Sequence, residues 1–317
     1  MKNIFIIAPH HYDHSLATLV EGLMKIDDIK VFSNSSFNYF KNTATQLKTQ
    51  ILLAKKADIV VLAHSALESK YDHIIRPLLA EISVDVFLDG CDHRGYEGNP
   101  SDYKLYLKRE LDLTRLDSYS NVIPFGFAAE DRFFSGGKVS HDDIWKEKDG
   151  DLVCMLSIGQ CPWRIDITKA LQTAFPDHNN NKVFVGEFLQ GPSLTTIDTG
   201  NRHFYKYFDK LLKSRISVAA YGAGECRQTG RLYESLANGC LVFYQPIAPF
   251  TWKNPYINEK HFIEFNDNDE LIEKTKYYIH HPDEARRIAS AGYQHLLEYH
   301  TTDIRGREFL SSCEQFL

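Results

Sequence analysis

The chain has 317 residues, a length that predicts two domains at roughly 150 residues each. Its 36 Lys and Arg against 42 Asp and Glu give a formal net charge of −6, with 25% charged and 43% hydrophobic residues. That balance excludes a disordered chain and argues against a dedicated nucleic-acid binder, which would carry a basic excess, while leaving a local basic groove open.

In chain order, residues 3–8 read as a buried first strand, followed by a polar loop and a helix over 15–25. Residues 30–32 predict a short strand, 43–55 a helix, and 57–63 a strong strand with Asp58 ahead of Ile-Val-Val-Leu-Ala. A helix over 73–82 is expected to shift or kink at Pro77, and 84–88 form another strand. The charged run 103–113 repeats apolar residues at helical spacing. It predicts a helix with Lys108, Arg109 and Glu110 near its middle, and Lys108 and Arg109 on a solvated face. Residues 121–125 give a last short strand. The pattern then loosens around Gly136-Gly137 and a mostly charged stretch whose bulky apolar residues are Ile144 and Trp145, so 127–150 read as a linker. A fresh series follows, with strands at 151–158, 182–186, 216–221 and 240–244. Its helices are expected at 164–174, 202–212, 229–238, 269–279 and 282–299. Short apolar runs alternating with longer amphipathic stretches predict an α/β protein with mostly parallel sheets. The expected division is a unit at 1–126 and a second at 151–303.

No stretch reaches the ~18 uninterrupted apolar residues of a membrane span, and residues 4–8 are too short for the apolar core of a signal peptide. Cys91, Cys154, Cys161, Cys226, Cys240 and Cys313 contain no C-x-x-C pair, which predicts a reduced, cytoplasmic protein rather than a disulfide framework.

The most informative stretch runs from Ile216 to Gln245. An apolar strand enters a loop containing Gly222, Gly224 and Gly230, then a short helix, Gly239 and a second apolar strand. Such glycines let backbone approach a ligand. Thr229 is placed to cap the helix, whose first-turn N–H groups would face an anion such as phosphate. Arg227 and Arg231 flank that helix start and can add charge-assisted hydrogen bonds to a diphosphate. Glu234 shares a helix face with Arg231, one turn beyond the phosphate position, where a carboxylate can accept from ribose hydroxyls. Gly239 suits the left-handed end of the helix. The alternative is a generic α/β crossover with a surface Arg–Glu pair.

The run GRLYESLANGCLVFY resembles the nucleotide-binding segment of GT-B glycosyltransferases, with spore-coat-type and exostosin-type members the nearest by pattern. Phe262 to Phe265 followed by Asp269-Glu270-Leu271, and the stretch from His281-Pro282-Asp283 to Gly292, are similar to the segments that follow in that family. Asp89-Gly90-Cys91-Asp92 and Tyr106 to Glu110 also resemble paired motifs of bacterial members. The resemblance implies two Rossmann-like domains facing a cleft, with residues 304–317 crossing back onto the first. It further implies a nucleotide-sugar donor in the C-terminal domain, a hydroxyl acceptor, and metal-independent chemistry without a cofactor. Glu234 would take the donor ribose, and Arg227 or Arg231 the diphosphate. Retaining members often carry a second Glu eight residues before the ribose Glu; that position is Cys226 here, with Glu225 one residue off, so retention and inversion both stay open.

Pro9-His10-His11-Tyr12-Asp13-His14 follows the first strand, and loops beyond the carboxyl ends of parallel strands line the crevice of such sheets. His10, His11 or Asp13 is therefore a candidate general base for an acceptor hydroxyl. Three alternatives stand beside this: a polar loop without catalysis, a catalytically silent nucleotide- or glycan-binding protein, and a zinc-dependent deacetylase-like hydrolase. The last rests on the likeness of this loop to the HPDDE zinc loop of sugar deacetylases, although Tyr12 replaces its carboxylate and no H-x-x-H element follows. Asp89, Asp92 and Arg164 are further candidates for the cleft lining. Tyr205, Tyr207, Tyr277 and Tyr278 read as packing residues, and Trp252 as an edge of a donor pocket.

Overall fold

The alternation of buried runs and amphipathic stretches produces two parallel sheets with interleaved helices. The computed structural model describes residues 1–112, 119–157, 161–177, 179–180, 182–188, 202–223, 227–247 and 253–317. The N-terminal half comprises β1 (Lys2–Ile7), α1 (His14–Leu23), β2 (Ile29–Ser33), α2 (Leu47–Lys56), β3 (Ile59–Ala63), α3 (Asp72–Leu79), β4 (Val86–Asp89), β5 (Leu105–Lys108) and β6 (Val122–Pro124). Helix α4 (His141–Lys146) precedes the second half. That half begins with β7 (Gly150–Ser157), α5 (Pro162–Ala174), β8 (Val183–Phe188), α6 (Arg202–Lys213) and β9 (Ser214–Val218). It continues through α7 (Gly230–Ala237), β10 (Leu241–Tyr244), β11 (Ile263–Glu264), α8 (Asn268–His280), α9 (Pro282–Tyr299) and α10 (Thr302–Phe316).

The first sheet has the order β2-β1-β3-β4-β5-β6 and the second β11-β10-β9-β7-β8. Counted from β1 and from β7 the topologies correspond, and chain order reverses between β1 and β3 and again between β7 and β9. A crevice opens beyond the strand carboxyl ends at such a reversal. The loops after β1, β3 and β9 are therefore at the positions where this topology binds ligands.

Alternation along the buried strands fills four cores. In β1, Ile4 and Ile6 pack with Leu16, Leu19 and Leu23 of α1, while Phe5 and Ile7 pack on the other face with Ala54, Ile75 and Leu78. In β7, Val153 and Met155 join Leu232 and Leu236 of α7, whereas Leu152 and Cys154 face Ile167 and Leu171 of α5. Each fully buried Leu or Ile contributes about 1.5–3 kcal/mol relative to exposure. Helix α10 lies across α1, where Gly22 and Gly306 meet. A Cβ on Gly306 would sit 2.6 Å from the Gly22 carbonyl carbon, so only hydrogen fits.

Two expectations are corrected here. The 103–113 run does not form a helix: it supplies β5, paired in parallel with β4 and β6. Leu105 and Leu107 enter one core and Tyr106 the opposite one, the period-two pattern of a strand buried on both faces. Lys108 is fully buried rather than solvated, and its Nζ lies 3.0 Å from Asp89 Oδ2 on β4. The second correction concerns 127–150, which is a packed connection. It contains a 3-10 turn at Asp131–Phe133 and α4, and Phe127, Phe133, Phe134 and Ile144 belong to the second-half core.

Candidate active site

Beyond β9 the chain returns through Arg227 to Thr229 and enters α7. Thr229 occupies the N-cap position in extended conformation, but its hydroxyl does not cap the helix. That oxygen lies 2.9 Å from Tyr244 Oη and 3.3 Å from Ala220 O, so it ties the turn to β10 and β9. Tyr244 Oη also donates to Arg227 O at 2.9 Å. With no side-chain cap, the positive end of α7 is left for another partner.

Gly230 opens the helix. A Cβ built there would lie 3.7 Å from both Glu234 Oε1 on the same helix and His14 Cε1 on α1. Gly230 therefore marks the point where the two sheets' carboxyl edges face each other across open backbone. Glu234 is buried, with Oε2 accepting from Arg231 Nη1 at 2.8 Å. Arg231 is itself buried and stacks on Tyr207, 4.1 Å from the ring centroid. It orients Glu234, in contrast to the surface pair of the generic-crossover alternative. Arg227 is the more open of the two arginines: its Nη1 meets Tyr221 Oη at 2.5 Å and its guanidinium covers the Tyr221 ring at 4.4 Å. Gly222 lies in the loop above, Gly224, Glu225 and Cys226 fall outside the described residues, and Gly239 ends α7 at φ +64°.

From the first sheet, His14 is the member of the histidine loop that reaches this point. Its Nδ1 lies 3.4 Å from Tyr12 Oη and 3.8 Å from Glu130 Oε1. Glu130 is buried, accepts from Tyr12 Oη, Tyr39 Oη and Arg132 Nη2, and forms an ion pair with Arg132, whose Nε lies 2.8 Å away. Burial alone would raise its carboxyl, but His14, Arg132 and Tyr12 overcome that and hold it at about 2. Glu130 lies in the presumed linker and carried no sequence signal; His14 belonged to the noted run but was not chosen from it.

The predicted bases sit elsewhere. Asp13 is the N-cap of α1 and accepts from Leu16 N at 3.0 Å. His11 shares a 2.8 Å hydrogen bond with Tyr71 Oη, and its Nε2 lies 3.5 Å from Glu68. His10 packs beside Tyr71, with burial and nearby His73 holding its pKa below the ordinary value. Among the described residues, none of His10, His11, Asp13 and His14 joins a cluster with metal-sized spacing.

Asp89, expected to face the cleft, is fully buried and saturated by Lys108, by Tyr106 Oη at 2.5 Å, and by the N–H groups of Cys91 and Glu97. Asp92 is exposed and pairs with Arg109. Arg164 is buried and donates to the carbonyls of Ser157, Ala220 and Tyr221, joining the ends of β7 and β9. Glu110 was missed as an inter-half contact. Its Oε1 accepts from Gln228 N at 3.0 Å, and Gln228 Nε2 donates to Arg109 O at 3.0 Å. Burial raises the Glu110 pKa against the opposing pull of Arg109 and of the backbone N–H groups of Gln228 and Arg227. Of the helix tyrosines, Tyr207 and Tyr278 are core residues and Tyr277 is exposed; the Tyr205 side chain and Trp252 lie outside the described set.

Residues 200–311 match the sequence model of a family described as glycosyl transferase-like. No curated protein matches the chain. A glycosyltransferase from Rickettsia africae ESF-5 superposes over 99% of this chain and 98% of its own, at 11% identity and a TM-score of 0.61. Anabaena HepE in complex with UDP-glucose covers 99% and 100%, at 9% identity and a TM-score of 0.66. An alpha-glucosyltransferase in complex with UDP-glucose and DNA containing an abasic site covers 98% of each chain, at 10% identity and a TM-score of 0.58. The fold is GT-B. In this GT-B chain the two sheets' edges meet at His14, Gly230 and Glu234. No helix among the described residues is long and apolar enough to cross a membrane.

Proposed function

We propose that this protein is a glycosyltransferase that moves a sugar from a nucleoside diphosphate donor to a hydroxyl acceptor. The observation that carries this reading is the junction at Gly230: an uncapped helix start, a carboxylate oriented by a buried arginine, and a histidine from the opposite half. The diphosphate fits the α7 N-terminus beside Arg227, and the ribose hydroxyls fit Glu234. As the bond from the anomeric carbon to the diphosphate breaks, negative charge grows on the leaving oxygen. The helix end and Arg227 stabilise that charge. His14 faces the same space and is the preferred base for the acceptor hydroxyl if the reaction inverts.

A uridine nucleotide is the favoured donor, because HepE and the alpha-glucosyltransferase were both solved with UDP-glucose. The spore-coat-type and exostosin-type resemblance, a hexosyl group, a role in polysaccharide assembly, a cytoplasmic location and donor chemistry without a metal complete the proposal. The test is calorimetry and transfer with a nucleotide-sugar panel, comparing wild type with Glu234→Gln and Arg227→Ala. Donor binding that weakens in both variants supports the site. Absence of binding by any nucleotide sugar, or unchanged binding in both variants, removes it. Binding without turnover against a broad acceptor set favours the catalytically silent alternative.

A further inference from the structure

The carboxyl edge of the first sheet carries a second cluster, which the donor reading does not use. His64 starts the 3-10 turn His64–Leu67 directly after β3, Cys91 lies just past β4, and Glu97 is in the loop that follows. Cys91 Sγ lies 3.0 Å from His64 Nδ1 and 3.4 Å from His64 Nε2, Glu97 Oε2 lies 3.6 Å from Nε2, and one donor atom from each of the three residues falls within 4.8 Å of the others. Zn–S bonds of ~2.3 Å and Zn–N or Zn–O bonds of ~2.0–2.1 Å at tetrahedral angles place ligand atoms about 3.4–3.6 Å apart. We propose that His64, Cys91 and Glu97 form a binding site for one zinc-type divalent cation.

The surroundings are built as a ligand scaffold. Asp89 Oδ1 accepts from Cys91 N at 3.0 Å and Asp89 Oδ2 from Glu97 N at 3.2 Å, so one buried carboxylate fixes the backbone of two ligands. Lys108 compensates Asp89 from β5. The second oxygen of Glu97 meets His93 Nε2 at 2.6 Å, the kind of outer contact that orients a ligating carboxylate. Burial and the negative charges of Asp89 and Glu97 push the Cys91 thiol up to about 12. A bound cation reverses that balance and lets the sulfur ionise. A mixed nitrogen, sulfur and carboxylate set suits zinc and not magnesium or calcium, which take oxygen. Three protein ligands, each partly exposed, leave the fourth position to water.

Cobalt(II) is the probe. Titrating it into the chelator-stripped full-length chain is expected to give a thiolate-to-cobalt charge-transfer band and tetrahedral visible bands, saturating at one equivalent and erased by zinc. Cys91→Ser is expected to remove the charge-transfer band. His64→Ala and Glu97→Gln are expected to weaken cobalt binding by roughly tenfold or more. A wild-type measurement guards against variants that do not fold: saturating zinc should protect Cys91 from alkylation, read by mass spectrometry. No band at saturating cobalt, a band undiminished in Cys91→Ser, or Cys91 alkylated equally with and without zinc each overturns the site.

Discussion

The carboxyl edges of the two sheets hold their polar side chains in different ways. In the second half, Arg227, Thr229, Gly230, Arg231 and Glu234 lie on one turn and one helix, so backbone geometry alone brings them together. In the first half and the connection after it, the two buried carboxylates Asp89 and Glu130 depend on residues far away in sequence: Asp89 on Lys108, and Glu130 on Tyr12, Tyr39 and His14. A local arrangement persists as long as its helix does. A dispersed one is part of the packing, and its loss registers as stability before it registers as function.

The largest effect expected from this contrast is at Asp89. Asp89→Ala leaves the fully buried Lys108 without its partner, which costs about 3–5 kcal/mol. Urea denaturation reads it; a loss below about 1 kcal/mol would mean that the pair is not the anchor of the first sheet.

Glu130→Gln is the next largest. A carboxyl held at about 2 against an ordinary value near 4.5 corresponds to about 3 kcal/mol at neutral pH. Because the folded pKa is the depressed one, this contribution is complete above pH ~4.5 and disappears as pH falls towards 2. The stability gap between wild type and variant should therefore close over that window. A gap that stays constant with pH would remove the charge from the account of Glu130.

The same contrast decides what was legible beforehand. Strands β7 to β10, α7 and the left-handed Gly239 follow from local patterns: apolar runs of strand length, a glycine-punctuated turn, and a helix with one apolar face; the two-residue β11 is too short to show such a run. The failures came where tertiary partners override local spacing. Leu105 to Lys108 matches a helical period, yet β4 offers Asp89 at the register position that neutralises Lys108, and the strand wins. Glu130 stood in a charged stretch with nothing to mark it, because its partners come from β1's loop and from Tyr39. Thr229 has the right identity for a cap, but Tyr244 and Ala220 compete for its hydroxyl.

Acidification separates the regions further. Burial lowers His141 and His261 to about 4; Lys148 and Arg286 add to this at His141, and His295 and Lys260 at His261. The unfolded chain takes up these protons from pH ~6.5 downward and the folded chain does not, so stability falls as pH drops from ~6.5 to ~4. By pH 5 the cost is about 2 kcal/mol per histidine. His141 sits against Gly239 and His261 against Gly292, so hydrogen exchange at pH 5 should show α7 and α9 opening before β1 and α1. Equal exchange in both halves would contradict this ordering.

The smallest effect is at Arg227, and it isolates function from packing. This guanidinium is half-exposed and stacks on Tyr221, and its hydrogen bonds go to Tyr221 Oη and Pro246 O, with no buried carboxylate left behind on its removal. Arg227→Ala should leave the denaturation midpoint within about 0.5 kcal/mol of wild type, as for an ordinary surface change. Loss of charge-assisted hydrogen bonds to a diphosphate should nevertheless weaken donor binding by about 1.5–3 kcal/mol, roughly a factor of 10 to 150. Measured beside Glu130→Gln, it gives the opposite signature: affinity without stability, where Glu130 shows stability first. If Arg227→Ala instead destabilises the fold and leaves nucleotide affinity unchanged, Arg227 belongs to the packing of the second half and not to a donor site.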